Sequence, residues 1–170
     1  IVYSFNYSKI VPVWGGWSTR WYTVLFESEE VWAAITLSLK IALMNATFAT
    51  MLGALAGLAL VRFKSFRGRT LFGGMISAPL VMPEVITGLS LLLLFITLGQ
   101  LIGWPTNRGI TTITIAHITF SMAYVAVIIQ SRLTGLDQSL EEAAEDLGAK
   151  PFRVLIDITL PLLAPGLLAG

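Results

Sequence analysis

One acid stands alone in a long uncharged stretch. Between Arg69 and Arg108 lie 38 residues whose only charge is Glu84, flanked by Pro79 and Pro83. A carboxylate there is costly unless it faces a cavity or a pairing partner. The two prolines each remove a helix hydrogen bond and are expected to free backbone carbonyls beside it. Such an anionic, carbonyl-rich break at Pro83 and Glu84 suits a cationic solute; the alternative is a structural partner for a cation on another helix. His117 is the only histidine and the chain has no cysteine. No metal site, thiol chemistry or catalytic residue is therefore expected. His117 could join Glu84 in a proton relay or hydrogen-bond between helices.

A second group lies in the polar run from Asp137 to Arg153. Ser139 with Glu142 three residues later reads as a capping box, and acids crowd the first turn, where the helix dipole favours them. Gly148 falls where that helix would end and Pro151 where another would begin. Leu140, Ala143, Ala144 and Leu147 share one face, an apolar strip made partly of small residues. The acids oppose docking on an anionic leaflet, so a protein partner is expected.

These residues need elements to hold them, and composition says which. The chain is 55% hydrophobic and 12% charged over 170 residues, with a net charge of +1 and mean hydropathy +0.79. A soluble domain carries about 25% charged residues. The protein is thus read as an all-α, polytopic transmembrane helix bundle, and the near-neutral charge argues against a nucleic-acid partner. Uncharged runs of 21 residues between Lys40 and Arg62, and of 23 between Arg108 and Arg132, each suffice to cross a bilayer. The stretch holding Glu84 crosses once with a broken middle, or turns back as a hairpin. A single crossing puts Arg62, Lys64, Arg67, Arg69, Arg132, Lys150 and Arg153 on one side, and Lys9, Arg20, Lys40 and Arg108 on the other. A hairpin removes that bias, so the single crossing is preferred.

The layout has Ile1 to Phe5 ending an earlier span and 6–32 as a periplasmic segment. Complete spans are expected at about 33–61, 71–102 and 110–131, with a basic cytoplasmic loop at 62–70. A cytoplasmic stretch, 132–160, follows, and a further span begins near Pro161. That makes three complete spans and parts of two more in a single transmembrane domain, 1–170. The chain opens without methionine and closes on Leu167-Leu168-Ala169-Gly170, and it is expected to be a piece of a longer polypeptide. Gly53 and Gly57 offer a close-packing face and Asn45 a cross-helix hydrogen bond. Trp14, Trp17, Trp21 and Trp32 cluster in the external segment, as residues of the membrane–water boundary or as a rim for a cation or docking protein.

The spacing Glu142-Ala143-Ala144, three residues, Gly148, nine residues, Ile158-Thr159-Leu160-Pro161 resembles the EAA loop of ABC-importer permeases. Tyr3-Ser4-Phe5-Asn6, Trp17 to Tyr22, Phe66-Arg67-Gly68, Met82 to Ile86 and Ala116 to Phe120 are similar to the second permease of polyamine importers. Val81 to Gly88 and Gly103-Trp104-Pro105 resemble the putrescine-importing kind more than the spermidine-preferring one. Those relatives carry aspartate where Glu84 stands.

The resemblance implies a multi-pass subunit of the bacterial inner membrane that binds no cofactor itself and hydrolyses nothing. It implies an ABC ATPase dimer that uses ATP and Mg, a second homologous permease, a periplasmic substrate-binding protein and polyamine cargo. It also implies that Glu142 anchors the coupling helix and that Ala143 and Ala144 permit close approach. Gly148 and Ala149 would make the turn, and Pro151 and Phe152 would fill the ATPase groove. Permeases for other cargoes share the loop. A proton-coupled transporter using Glu84 and His117, or a passive scaffold, would not explain it.

Overall fold

The computed structural model describes residues 2–8, 13–63 and 65–169, with side chains as far as Ala164. Lys9 and Lys64, used in the charge comparison, and the side chains of the closing Leu167-Leu168-Ala169 run lie outside the described residues. After a 3-10 turn, Val2–Phe5, come α1 (Arg20–Glu27), α2 (Glu29–Arg62), α3 (Arg69–Val81), α4 (Glu84–Ile102) and α5 (Ile110–Gly135). Then follow α6 (Ser139–Asp146), α7 (Pro151–Val154), a π-helical turn (Leu155–Thr159) and α8 (Leu160–Ala169). Three of these, α2, α4 and α5, are long and apolar enough to cross a membrane. The chain divides into two compact units, Ile1–Ala42 and Leu43–Gly170.

The first unit is organised by one buried polar side chain. Asn6 donates to the Val13 carbonyl (2.6 Å) and accepts from the backbone N–H groups of Gly15 (2.7 Å) and Ser8 (3.2 Å). Its own carbonyl takes the Trp21 indole N–H at 2.8 Å. The side chain thereby joins Ser8 to Val13 and Gly15, the backbone carbonyl ties Asn6 to α1, and a short antiparallel bridge joins Asn6 to Trp17. Val2–Phe5 was expected to end a span. It forms a single 3-10 turn, with the exposed Tyr3 ring edge-on against Trp14.

In the second unit α5 is the central helix. Ala123, Val125, Ala126, Ile129 and Leu133 are buried along it. The glycine face of α2 lies against this helix. A Cβ on Gly53 would stand 2.6 Å from the Val125 Cβ, and one on Gly57 would stand 2.9 Å from that of Ile129. Only glycine allows this approach. Asn45 Nδ2 donates to Ser121 Oγ across the same interface at 3.1 Å.

These three contacts pair 45 with 121, 53 with 125 and 57 with 129, so α2 and α5 run in the same direction. The chain between them must therefore cross back once. It does so in two pieces: α3 packs Ile76 against Ala126, and α4 follows it along α5 as far as a cavity shared with Ala116, His117 and Phe120. A hairpin would have returned α5 antiparallel to α2. The shared direction of α2 and α5 is the one that a single broken crossing gives.

The break has a local cause. Pro79 is carried inside α3, but Met82 and Pro83 are extended (ψ 141° and 135°), and α4 restarts at Glu84 with Pro83 as its N-cap. The residue before a proline is biased toward extended backbone, and Met82 takes that conformation. At the other end, α7, the π-helical turn and α8 follow one another without a loop, and α8 begins at Leu160, next to Pro161. Pro161 lacks an N–H and its ring crowds the carbonyl four residues back. The helix accommodates it by widening, and the Leu160 N–H reaches the Leu155 carbonyl, five residues back.

Candidate functional site

The loop after α5 is built as helix, glycine, helix. Its first helix starts on Asp137, whose carboxylate accepts the Ser139 N–H at 3.0 Å. That hydrogen bond, with a second from the Ser139 side chain, lowers the Asp137 pKa below its ordinary value against a small opposing desolvation. The capping box expected from Ser139 and Glu142 is not formed. Gln138 is the N-cap and Ser139 already lies inside the helix, with its own N–H taken by the Asp137 carboxylate.

At the far end the Gly148 N–H bonds the Glu145 carbonyl (2.8 Å) and the Ala149 N–H bonds that of Ala144 (3.0 Å). This pair of reversed bonds needs a left-handed residue between them, and Gly148 supplies φ +85°. Pro151 then opens α7 at its first position, with Lys150 as N-cap.

The loop has two different sides. Toward α2, Glu141 forms an ion pair with Arg62 and accepts the Thr159 hydroxyl at 2.7 Å on the same oxygen, Oε1. Glu142, the expected anchor, is exposed; the intramolecular anchor is its neighbour Glu141. Beside the ion pair is a cavity of about 420 Å³, with Leu55, Leu58 and Ala59 facing Pro151, Val154 and Leu155. Away from α2, Leu140 is 48% exposed, Leu147 90% and Phe152 71%. Ala143 and Gly148 are exposed, and Ala144 and Ala149 are half-buried. Leu147 belongs with Phe152 on this tip. The helical spacing had placed it on the apolar face, but the motif residues alone omit it.

The second candidate site lies at the break. Glu84 occupies the first turn of α4, where the positive end of the helix dipole favours a carboxylate. It lines a cavity of about 360 Å³ with Thr87, Gly88 and Leu91 of α4 and Ala116, His117 and Phe120 of α5. Glu84 and His117, 33 positions apart, are thus brought to one space. The Thr87 hydroxyl is buried there with no hydrogen-bond partner among the described residues. The Pro83 carbonyl accepts the Ile86 and Thr87 N–H groups at 2.9 and 3.1 Å.

In the first unit, the aromatic segment packs on itself. Trp14 meets Trp17 at 5.2 Å between ring centres, Phe5 meets Tyr22 at 5.5 Å, and the cation over Trp21 is the chain's own Arg20, at 5.8 Å.

Parallel apolar helices closed by a broken one, with a helix–glycine–helix loop leading into the next helix, define a polytopic helical membrane protein of the transport class. A family model for the binding-protein-dependent transport system inner membrane component matches residues 49–170, and the chain belongs to that family. It is 57% identical over 170 residues to the putrescine transport system permease protein PotI of Escherichia coli (strain K12), covering 100% of this chain and 60% of that protein. It is 39% identical, again over 170 residues, to the spermidine/putrescine transport system permease protein PotC of the same strain, covering 100% of this chain and 62% of that one. The chain thus spans about 60% of the length of the curated relatives it matches. Its fold resembles a chain in the crystal structure of a bacterial ABC transporter involved in the import of the acidic polysaccharide alginate. The TM-score is 0.72 at 16% identity, covering 98% of this chain and 60% of that one. The chain is accordingly an inner-membrane component of a binding-protein-dependent transport system.

Proposed function

We propose that this chain forms part of the path by which an ATP-driven importer carries a polyamine, putrescine first among them, into the cytoplasm. The observation that carries the coupling half of this reading is the two-sided loop. One side is held to α2 by Glu141, while Leu140, Leu147 and Phe152 stand exposed around the Gly148 turn. An exposed apolar tip on an acidic helix suits a protein groove better than an anionic leaflet. In this reading the groove belongs to an ATPase subunit, and Glu142, Ala143, Ala144, Ala149 and Pro151 complete the docking surface. ATP and Mg²⁺ are used there and not in this chain. Closure of an ATPase pair draws the loops of this permease and a second, homologous permease together and turns the cavity outward. A binding protein delivers the cargo at that face, and hydrolysis resets the cycle.

The cargo half rests on the names of the relatives and on the Glu84 cavity. A diammonium ion needs an acceptor at each end and an apolar span between them. Glu84 and the unpartnered Thr87 hydroxyl offer acceptors, and Phe120 offers a π face.

The test is uptake of labelled putrescine by the full-length permease reconstituted with its ATPase and binding protein. ATP-dependent uptake is expected, with the ATPase co-purifying. Uptake of a different solute alone would overturn the cargo and keep the class. Uptake that survives ATP depletion and collapses with the proton gradient would overturn the class. It would favour proton coupling through Glu84 and His117, which share the cavity.

A further inference from the structure

The family motif begins at Glu142, yet the residue that ties the loop to the membrane helices precedes it. Three elements converge on one oxygen of Glu141. Arg62, the last residue of α2, forms the ion pair, and Thr159, the last residue of the π-helical turn, donates its hydroxyl. Both charged side chains are mostly covered, at 25% and 19% exposure, and Thr159 is buried. A pair so sheltered is screened less than one on an open surface.

Arg62 is not needed to finish α2. Arg69 does that, donating from Nη2 to the Leu60 carbonyl at 3.0 Å. A cavity of about 420 Å³ lies beside the joint, lined by Leu55, Leu58 and Ala59 of α2 and by Pro151, Val154 and Leu155, of which Val154 is buried. The polar joint thus links the loop to α2 with space beside it. On its far side both connected helices are packed: α2 through Gly53 and Gly57 onto α5, and α8 through Leu163, buried with Val125, Ile129 and Leu133.

We propose that Glu141 is a positioning residue for transport. It is the pivot through which displacement of the coupling loop is delivered to α2 by way of Arg62 and to α8 by way of Thr159. The proposal rests on the reading that this loop docks on an ATPase. The π-helical turn forced by Pro161 gives the pivot a helix segment already departed from the regular ladder, where a change of register breaks fewer bonds.

The experiment uses the full-length permease with its ATPase and binding protein in proteoliposomes. For Glu141→Gln, ATPase co-purification and ATP hydrolysis are expected to stay near wild type, while uptake per ATP hydrolysed falls about tenfold, the scale of a lost coupling contact. Arg62→Glu is expected to behave alike, and Arg62→Glu with Glu141→Arg is expected to recover most of the ratio. A purely structural role would not predict recovery by reversed charges. Unchanged uptake per ATP in Glu141→Gln, or a double variant no better than Arg62→Glu, would overturn the proposal.

The joint is also read without transport. The 170 residues contain no cysteine, so an Arg62→Cys, Glu141→Cys pair in a cysteine-free full-length background should be joined in membranes by a bifunctional thiol reagent long enough to span the two replaced side chains, and absence of that link would overturn it. If wild-type protein shows neither ATPase nor ATP-driven uptake, the functional reading fails on that result, and the cross-link still reports the joint.

Discussion

Gly53 lies so close to α5 that a single added carbon would meet both the Val125 side chain, at 2.6 Å, and the Met122 carbonyl oxygen, at 2.7 Å. The second of these is backbone and has no rotamer to change. Gly53→Ala is therefore expected to cost about 1–3 kcal/mol. Gly74→Ala, in α3 with nothing within 4 Å of the added carbon, is expected to gain roughly 0.5–1 kcal/mol from helix propensity. Thermal unfolding in detergent compares them, and equal midpoints would refute the assigned α2–α5 contact.

Gly148 holds φ +85°, where a side chain costs roughly 1–2 kcal/mol. Space around it is open, so Gly148→Ala tests the turn alone, and Gly148→Asp adds a charge to the exposed tip. Both variants are expected to reach the membrane. Gly148→Asp is expected to abolish uptake, and Gly148→Ala to reduce it in proportion to lost ATPase retention. Normal uptake by Gly148→Asp would remove the loop from the coupling assignment.

Glu84→Gln keeps the shape of the cavity wall and deletes its charge. If a diamine is held there, the apparent uptake constant should rise roughly ten- to hundredfold, the scale of one charge-assisted hydrogen bond, with assembly unchanged. Unaltered uptake kinetics would return Glu84 to a structural role.

Asp137 gives a pH dependence with a definite sign. Its folded pKa is lowered by the Ser139 hydrogen bonds. The ionised carboxylate therefore supports the start of α6 at every pH above the ordinary carboxylate value. That support is lost as pH falls through the depressed folded value. Amide exchange at Ser139 and Leu140, measured against a distant helix and corrected for intrinsic rates, should show fraying only on the acid side. Asp137→Ala should show it at all pH values, and a pH-independent difference between Asp137 and Ala would not be expected.

Much of this was legible because charge is scarce. Gaps between Lys40, Arg62, Arg108 and Arg132 marked the spans, since water-facing charge cannot be spread through a bilayer. Pro79 and Pro83 marked the break, and the asymmetry of Arg and Lys anticipated the shared direction of α2 and α5. The finer assignments were hidden by rotation about a helix axis. Adjacent residues point about 100° apart, so a motif naming Glu142 says nothing about whether it or Glu141 faces Arg62. Asp137, Gln138 and Ser139 are all polar, so residue type alone did not say which of them stands at the N-cap of α6. Pro161 read as the start of a span, because a proline signals that the helix must change without saying whether it stops or widens.

The common direction of α2 and α5 also constrains how the protein is made. Two spans that run the same way are never neighbours in synthesis, because an oppositely directed crossing must come between them. Gly53 and Gly57 leave the ribosome well before Val125 and Ile129, and their native partner does not exist when α2 enters the bilayer. Insertion and packing are therefore separate events for this helix. Until α5 arrives, the groove on α2 faces lipid, and any span with a comparable row of small residues can compete for it.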